Sequence, residues 1–168
     1  AARYRSRRQY VFDSFVYRAV LPPIRTDCRC DAIAVSTAGA SLGAFNAVAT
    51  VCRHPAAFRA AIGMSGTYDL EKWLNGEFFE DFYFASPIHY LPNLDDGAQI
   101  EALRRRFVLL AYGEGRWEDP DESWRMANVL GAKGVPNRVD AWGQQWDHDW
   151  PTWREMLPRY LDELTGGA

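Results

Sequence analysis

Asp31-Ala-Ile-Ala-Val-Ser36-Thr-Ala-Gly39-Ala-Ser41-Leu-Gly43-Ala-Phe-Asn-Ala-Val-Ala-Thr-Val51 is the stretch of sequence that decides the fold. Residues 31–36 predict a short, buried β-strand. Residues 41–51 predict a helix, because they are rich in Ala and contain no Pro. The Gly-x-Ser-x-Gly motif at their junction therefore predicts a sharp strand-to-helix turn with Ser41 at its apex.

A serine in such a turn has the surroundings of a nucleophile. Gly39 and Gly43 suit the turn, since side chains there would clash as the strand and the helix approach each other. The first N–H groups of the helix point toward the serine, where they would face a negatively charged oxygen. The motif also arises by chance, and Ser41 is then only a helix cap. The strand and the helix around it favour the nucleophile of a serine hydrolase.

The length fits a single domain over residues 1–168, for which the order of the elements below predicts an α/β fold, and the composition excludes several classes of protein. The chain is 48% hydrophobic and carries a net charge of -3, which gives no reason to expect a nucleic-acid partner. No apolar run is long enough to cross a bilayer, so no membrane partner is expected. The spacing of Cys28, Cys30 and Cys52 matches no zinc motif, and we interpret the three as reduced thiols of a cytoplasmic protein.

The remaining elements predict a parallel β-sheet with helices on both faces. A first helix extends from about Tyr4 to Pro22 and should end at Pro22-Pro23. Residues 67–96 are aromatic, interrupted by Pro, and predict short helices and loops. The other predicted strands are 58–64, 107–112 and 138–142, and the other predicted helices are 100–106, 120–133 and 150–164.

Functional groups of a parallel sheet gather beyond the carboxyl ends of its strands, and the residues there come in the order serine, acid, histidine. His148 follows the last strand and is the best candidate for a base that takes the proton of Ser41. The carboxylate that orients this histidine is either Glu118 or Asp119. We favour Glu118, because Asp119 precedes a helix and suits an N-cap. His54 and His89 are weaker candidates for the base.

Five segments of the chain resemble the esterase branch of the α/β-hydrolases, the branch related to esterase D and to antigen-85 type enzymes. The resemblance implies an α/β-hydrolase fold with Ser41 as nucleophile, His148 as base and Glu118 as acid. It also implies that the Leu42 N–H supplies one of two donors to the oxyanion hole. The segments are Ala-Gly-Ala-Ser-Leu-Gly-Ala-Phe-Asn-Ala (38–47), Arg-His-Pro (53–55), Ser-Gly-Thr-Tyr-Asp-Leu (65–70), Ser-Pro-Ile-His-Tyr-Leu-Pro (86–92) and His-Asp-Trp-Pro-Thr-Trp (148–153).

The chain departs from this family at its start. Enzymes of the family have further strands upstream of the first helix, and a loop after one of them supplies the second oxyanion donor. We therefore expect a domain that lacks the N-terminal strands. Its Ile33–Val35 strand would be an exposed apolar edge, and we expect self-association through that edge.

The leading functional prediction is hydrolysis of a small-molecule carboxylic ester through an acyl-enzyme, with Trp117 and Trp146 in the substrate pocket. No cofactor and no metal ion is expected. An acyltransferase fits the same residues, because only the acceptor that replaces water differs. The alternative from another class is a non-catalytic α/β-hydrolase-like binding module, or an inactive fragment. A nucleotide-binding domain is disfavoured, since the chain has no Gly-x-Gly-x-x-Gly motif.

Overall fold

The structure of the 168-residue chain is a computed structural model. It describes residues 2–74, 77, 79–95 and 97–166, with the side chains at 2, 3, 5 and 6 left out. Positions 75, 76, 78 and 96 of the segment predicted as loops and short helices therefore lie outside the described residues. The helices, in chain order, are α1 (Ala2–Phe15), α2 (Leu21–Asp27), α3 (Leu42–Arg53), α4 (Glu80–Ala85), α5 (Pro87–Tyr90), α6 (Ala98–Leu103), α7 (Pro120–Ala132) and α8 (Trp150–Thr165).

Four parallel strands form the sheet, in the order β1-β2-β3-β4. The register places Ala38 of β1 beside Ile62 of β2, Ile62 beside Leu109 of β3, and Leu109 beside Arg138 of β4. All four carboxyl ends therefore lie along the same edge of the sheet. The predicted fold class is confirmed. The strands are β1 (Val35–Ala40), β2 (Phe58–Met64), β3 (Phe107–Tyr112) and β4 (Asn137–Ala141).

Both faces of the sheet are covered by helices. On one face, Val48 of α3 and Leu130 of α7 pack with Leu110 of β3 in the larger core cluster. On the other face, Met156 and Tyr160 of α8 pack against the strands. The central strands β2 and β3 are almost entirely buried, which explains their nearly continuous apolar sequences.

The predicted bounds of the first strand are wrong. The strand starts at Val35 and continues to Ala40, and the Ser41 N–H extends its pairing by bonding to the Met64 carbonyl oxygen at 2.9 Å. Ile33 lies in the turn before the strand, where its N–H bonds to the Cys30 carbonyl oxygen. The residues of β1 are mostly small, because α3 packs very close to this strand. In the described sheet β1 is an edge strand, with alternately exposed and half-buried residues along most of its length.

The predicted end of the first helix is also wrong. Pro22 and Pro23 do not end it but occupy the first turn of α2, after a π-helical turn over Val16–Val20. The Leu21 N–H bonds to the Val16 carbonyl oxygen, five residues back, and the two prolines follow where this π-helical register gives way to the first turn of α2, a position that tolerates proline. The chain therefore remains helical as far as Asp27.

The segment between β2 and β3 consists of short helices, as predicted. Besides α4, α5 and α6 it contains 3-10 turns at Glu71–Trp73 and Leu91–Asn93. Phe82 of α4 packs with Phe45 and Leu74 in a separate apolar cluster above α3. Within the described part of the chain, the helices are too short or too polar to cross a membrane.

Candidate active site

Ser41 lies between β1 and α3 in a backbone conformation that residues other than glycine seldom adopt. Its φ is 55° and its ψ is -121°. Such strain in a residue other than glycine is found mainly at functional sites. Leu42 follows as the first residue of α3, so its N–H has no carbonyl one turn earlier in the helix to bond to.

The two glycines of the motif differ in their surroundings. A Cβ on Gly39 would overlap the backbone carbonyl of Gly43 and crowd the Ala44 nitrogen. The expected clash between strand and helix is therefore real at Gly39. It is absent at Gly43, where a Cβ would meet no described atom within 4 Å.

His148 contacts Ser41 directly. Its Nε2 lies 3.0 Å from the Ser41 Oγ, although 107 residues separate the two in the chain. The imidazole stands edge-on to the ring of Trp153, with ring centroids 5.2 Å apart. The structure therefore brings the predicted nucleophile and the predicted base within hydrogen-bond distance.

Glu118 lies on the other side of the imidazole. Its Oε2 is 3.7 Å from the His148 Nδ1, and its side chain is only 1% exposed. The Nδ1 has no hydrogen-bond partner among the described residues, so it faces the carboxylate without a formed bond. Asp119 occupies the N-cap position of α7, but its side chain makes no capping hydrogen bond.

Ser65 and Trp153, for which the sequence predicts no role of their own, complete these contacts. The Ser65 Oγ lies 2.5 Å from the Glu118 Oε1, and the Trp153 Nε1 lies 2.9 Å from the Ser65 Oγ. Ser65 directly follows β2 and is buried, with a φ of 47°. Its position at the carboxyl end of a central strand is the signal that could have marked it.

Glycines allow the loop that carries Glu118 to lie against the loop that carries His148. A Cβ on Gly113 would overlap the Trp146 carbonyl, and a Cβ on Gly115 would overlap the Asp147 side chain. Because Gly115 has no side chain, its N–H can approach the Trp146 carbonyl oxygen and bond to it at 2.9 Å. The two loops thus approach each other backbone to backbone.

Asp147 and Asp149, which flank the histidine, both have structural partners. Asp147 accepts hydrogen bonds from the Arg116 N–H at 2.7 Å and from the Arg116 guanidinium. These bonds, the backbone one first, lower the pKa of Asp147 below its usual value. Asp149 caps α8 by accepting a hydrogen bond from the Trp150 N–H.

A cavity of about 210 Å³ is lined by Leu42, the residue that follows Ser41, whereas Ser41 is not among the described residues that line it. Neither Trp117 nor Trp146, the predicted pocket residues, is among the described residues that line it. Trp117 is 79% exposed, and Trp146 lines a separate, open cavity with Trp142. The residues around the cavity beside Leu42 are mostly apolar: Arg8, Gln9, Leu42, Leu70, Trp73, Leu74 and Phe82.

The other two histidines lie outside this site. His54 Nε2 pairs with the buried Asp13 carboxylate at 2.9 Å. His89 lies with Asp69 and Glu71 in a group whose ligand atoms are all within 4.8 Å of one another, which is close enough to hold a metal ion. Asp69 in that group is already paired with a guanidinium, that of Arg125.

Comparison with protein-family models matches residues 1–164 to the family described as "Putative esterase". No curated protein sequence matches the chain. Solved structures that resemble the chain include a ferulic acid esterase, with a TM-score of 0.68 and 22% identity over 89% of this chain and 59% of that one. They also include MPT51 (FbpC1) of Mycobacterium tuberculosis, with a TM-score of 0.63 and 19% identity over 92% of this chain and 68% of that one.

An S-formylglutathione hydrolase from Agrobacterium tumefaciens is similar as well, with a TM-score of 0.63 and 14% identity over 89% of this chain and 55% of that one. At such identities these likenesses show the fold alone. The chain spans little more than half the length of this hydrolase and of the ferulic acid esterase. The family match covers nearly all of the chain and confirms the resemblance derived from the motifs: the chain belongs to the "Putative esterase" family and has its α/β-hydrolase-like fold.

Proposed function

We propose that the chain hydrolyses carboxylic esters with Ser41 as nucleophile, His148 as general base and Glu118 as the acid that orients the base. The observation that carries this proposal is the 3.0 Å contact between the Ser41 Oγ and the His148 Nε2. A nucleophile and its base within hydrogen-bond reach, with a third group behind the base, is the recurring arrangement of serine hydrolases.

In the proposed reaction the Ser41 hydroxyl gives its proton to the His148 Nε2 as its oxygen attacks the ester carbonyl carbon. The resulting tetrahedral intermediate collapses, the alcohol leaves with the proton from His148, and an acyl-enzyme remains. Water then repeats the sequence, and the acid is released. Glu118 stabilises the imidazolium and keeps the proton of the neutral ring on Nδ1.

The 3.7 Å between the Glu118 Oε2 and the His148 Nδ1 exceeds a hydrogen bond. Catalytic hydrogen bonds are often long before a substrate is bound. Glu118 remains the better choice than Asp119 because its buried carboxylate faces the ring.

The Leu42 N–H is the proposed donor to the oxyanion of the tetrahedral intermediate. It follows the nucleophile directly and lies at the positive end of the α3 dipole. The resemblance to α/β-hydrolases implies a second donor from a loop upstream of α1. One such donor contributes about 10²–10³ in rate.

The apolar cavity beside Leu42 supports an apolar acyl group as the part of the substrate that is bound. An engineered cavity of about 150 Å³ holds benzene, so about 210 Å³ suits a single ring or a chain of roughly six to eight carbons. This proposal replaces Trp117 and Trp146 as pocket residues.

Two further candidate functions use the same fold. An acyltransferase would pass the acyl group to an acceptor other than water through the same residues. A non-catalytic binding module is favoured by the edge position of β1, which could pair with another strand or a second copy of the chain. We favour the hydrolase, because a binding role does not need a serine and a histidine in contact.

The free Cys28, Cys30 and Cys52 support a cytoplasmic location as part of the proposal.

The test is intact mass spectrometry after incubation with a fluorophosphonate, with circular dichroism to show that the chain is folded. The wild type is expected to gain one adduct, and Ser41→Ala and His148→Ala are expected to gain none. Ser123→Ala, which changes a buried serine on α7, serves as the matched control and should be labelled like the wild type. A folded wild type that gains no adduct would contradict the hydrolase and favour the binding module.

A further inference from the structure

We infer that Ser65 is a positioning residue that holds Glu118 in the orientation needed by His148, and that Trp153 in turn holds Ser65. The inference rests on the proposed esterase function. Neither residue contacts Ser41 among the described hydrogen bonds, so neither is proposed to touch the reacting atoms.

The direction of the two hydrogen bonds follows from their chemistry. The indole Nε1 of Trp153 can only donate, so the Ser65 Oγ accepts its bond of 2.9 Å. The single proton of the Ser65 hydroxyl is then free to be donated to the Glu118 Oε1, 2.5 Å away. That distance is typical of a hydroxyl that donates to a carboxylate, a bond about twice as strong as one between neutral groups.

The two oxygens of Glu118 therefore have different roles. Oε1 is tied to Ser65, while Oε2 faces the His148 Nδ1. A carboxylate with one oxygen held cannot rotate freely about its last bond, so the other oxygen stays on the side of the imidazole. Because the Glu118 side chain is 1% exposed, water cannot readily replace a lost donor.

Trp153 links this arrangement to the base. Its ring stands at 84° to the imidazole of His148, and its N–H holds Ser65. One side chain in the first turn of α8 therefore contacts the base directly and reaches the acid through a single hydroxyl.

The backbone of Ser65 is fixed at some cost in strain. Its φ of 47° lies in the left-handed region, which glycine adopts more readily. Its N–H bonds to the Ala111 carbonyl oxygen at 2.7 Å and holds the residue at the end of the central strands. Glycine would form this turn with less backbone strain, so the presence of serine indicates that its hydroxyl has a role.

The test compares Ser65→Ala and Ser65→Gly with the wild type in p-nitrophenyl ester hydrolysis. Both variants remove the hydroxyl, and glycine also relieves the backbone strain. We expect kcat to fall by about 10-fold to 100-fold in both, with KM nearly unchanged. In a Glu118→Ala background, Ser65→Ala should cause no further loss, since the hydroxyl would have nothing left to position.

Three outcomes would overturn the inference. The first is a wild-type kcat in folded Ser65→Ala. The second is full activity in Ser65→Gly, which would assign Ser65 to the turn alone. The third is an undiminished effect of Ser65→Ala in the Glu118→Ala background. A urea-unfolding curve for each variant separates these results from a loss of folded protein.

A crystal structure of Ser65→Ala separates failure of this inference from failure of the proposed function. If the wild type does not react at Ser41, the proposed esterase function fails. The inference then depends on the Glu118 carboxylate in that structure. A carboxylate turned away from His148 supports the inference, and an unmoved one overturns it.

Discussion

Gly39 and Gly43 face each other across the turn at Ser41, and only at Gly39 is there no room for a side chain. A Cβ on Gly39 would overlap the Gly43 carbonyl, whereas a Cβ on Gly43 would meet nothing within 4 Å. Both belong to the same Gly-x-Ser-x-Gly motif, yet the close approach of β1 and α3 explains only the first.

This difference predicts opposite effects of the same substitution. Gly39→Ala should destabilise the chain by about 1–3 kcal/mol, because the obstacle is backbone and cannot move aside. Gly43→Ala should stabilise it by about 0.4–1 kcal/mol, because alanine restricts the unfolded chain and fits a helix. Urea unfolding followed by tryptophan fluorescence measures both. Equal stability of the two variants would contradict the packing described for the turn.

Glu118 and Asp119 form the next matched pair. Glu118→Gln should lower kcat/KM by about 10²–10⁴-fold, because a neutral amide cannot stabilise the imidazolium of His148. Asp119→Asn should keep nearly full activity, since its side chain makes no capping bond and asparagine suits an N-cap. Initial rates with a p-nitrophenyl ester decide between the two. A larger loss in Asp119→Asn would reverse the assignment of the acid.

The sequence was informative about residues that follow strands and less so about contacts between them. That Ser41, Glu118 and His148 lie close together could be predicted, because the carboxyl ends of parallel strands meet along one edge of a sheet. Ser65 follows a strand in the same way, but a serine there has no pattern that distinguishes a hydrogen-bond donor from a turn residue. The continuation of β1 to Ala40 differs from the prediction because Thr-Ala-Gly-Ala (37–40) has weak strand propensity, which the closeness of α3 overrides.

The residues that line the cavity beside Leu42 could not be predicted for a different reason. The predicted pocket residues Trp117 and Trp146 are aromatic side chains in the loops that carry Glu118 and His148. Aromatic character does not indicate the direction of a side chain, and Trp117 in fact projects into solvent. The residues that line the cavity come from distant segments, as Arg8 and Phe82 show. Only the folded chain brings these together.

Asp147 predicts a pH-dependent contribution to stability. Hydrogen bonds from Arg116 lower the pKa of this carboxylate in the folded chain. The stabilisation is therefore present above the pKa of the unfolded chain, about 3.9, and is lost as pH falls through the folded value. Asp147→Ala should have a lower urea midpoint than the wild type at about pH 7, and the difference should shrink at about pH 4 and below.

Glu155→Gln, which changes an exposed carboxylate on α8, serves as the control for this prediction. Its urea midpoint should differ little from that of the wild type at either pH. A midpoint difference for Asp147→Ala that is the same at both pH values would contradict a role for the charge.

The cysteines predict a labelling pattern that tests the fold. Cys28 and Cys30 are exposed, whereas Cys52 is buried in α3, and burial raises its pKa to about 12. Thiolates, not thiols, react with iodoacetamide. The native chain should therefore gain two adducts at about pH 8, and the urea-unfolded chain three. A third adduct on the native chain would show that α3 is not packed as described.

The cavity beside Leu42 predicts a preference in acyl length. Among p-nitrophenyl esters, kcat/KM should rise with chain length by about fourfold per added CH₂, since each buried methylene contributes about 0.8 kcal/mol. The rise should end at roughly six to eight carbons, when the cavity is full.

Trp73→Ala should extend this limit, because Trp73 lines the cavity but is 41% exposed, so that its removal leaves the core intact. Trp124→Ala is the matched control, since Trp124 is similarly exposed but lies on α7 outside the lining. The same limit in wild type and Trp73→Ala, or a rate independent of chain length, would show that the acyl group does not bind in this cavity.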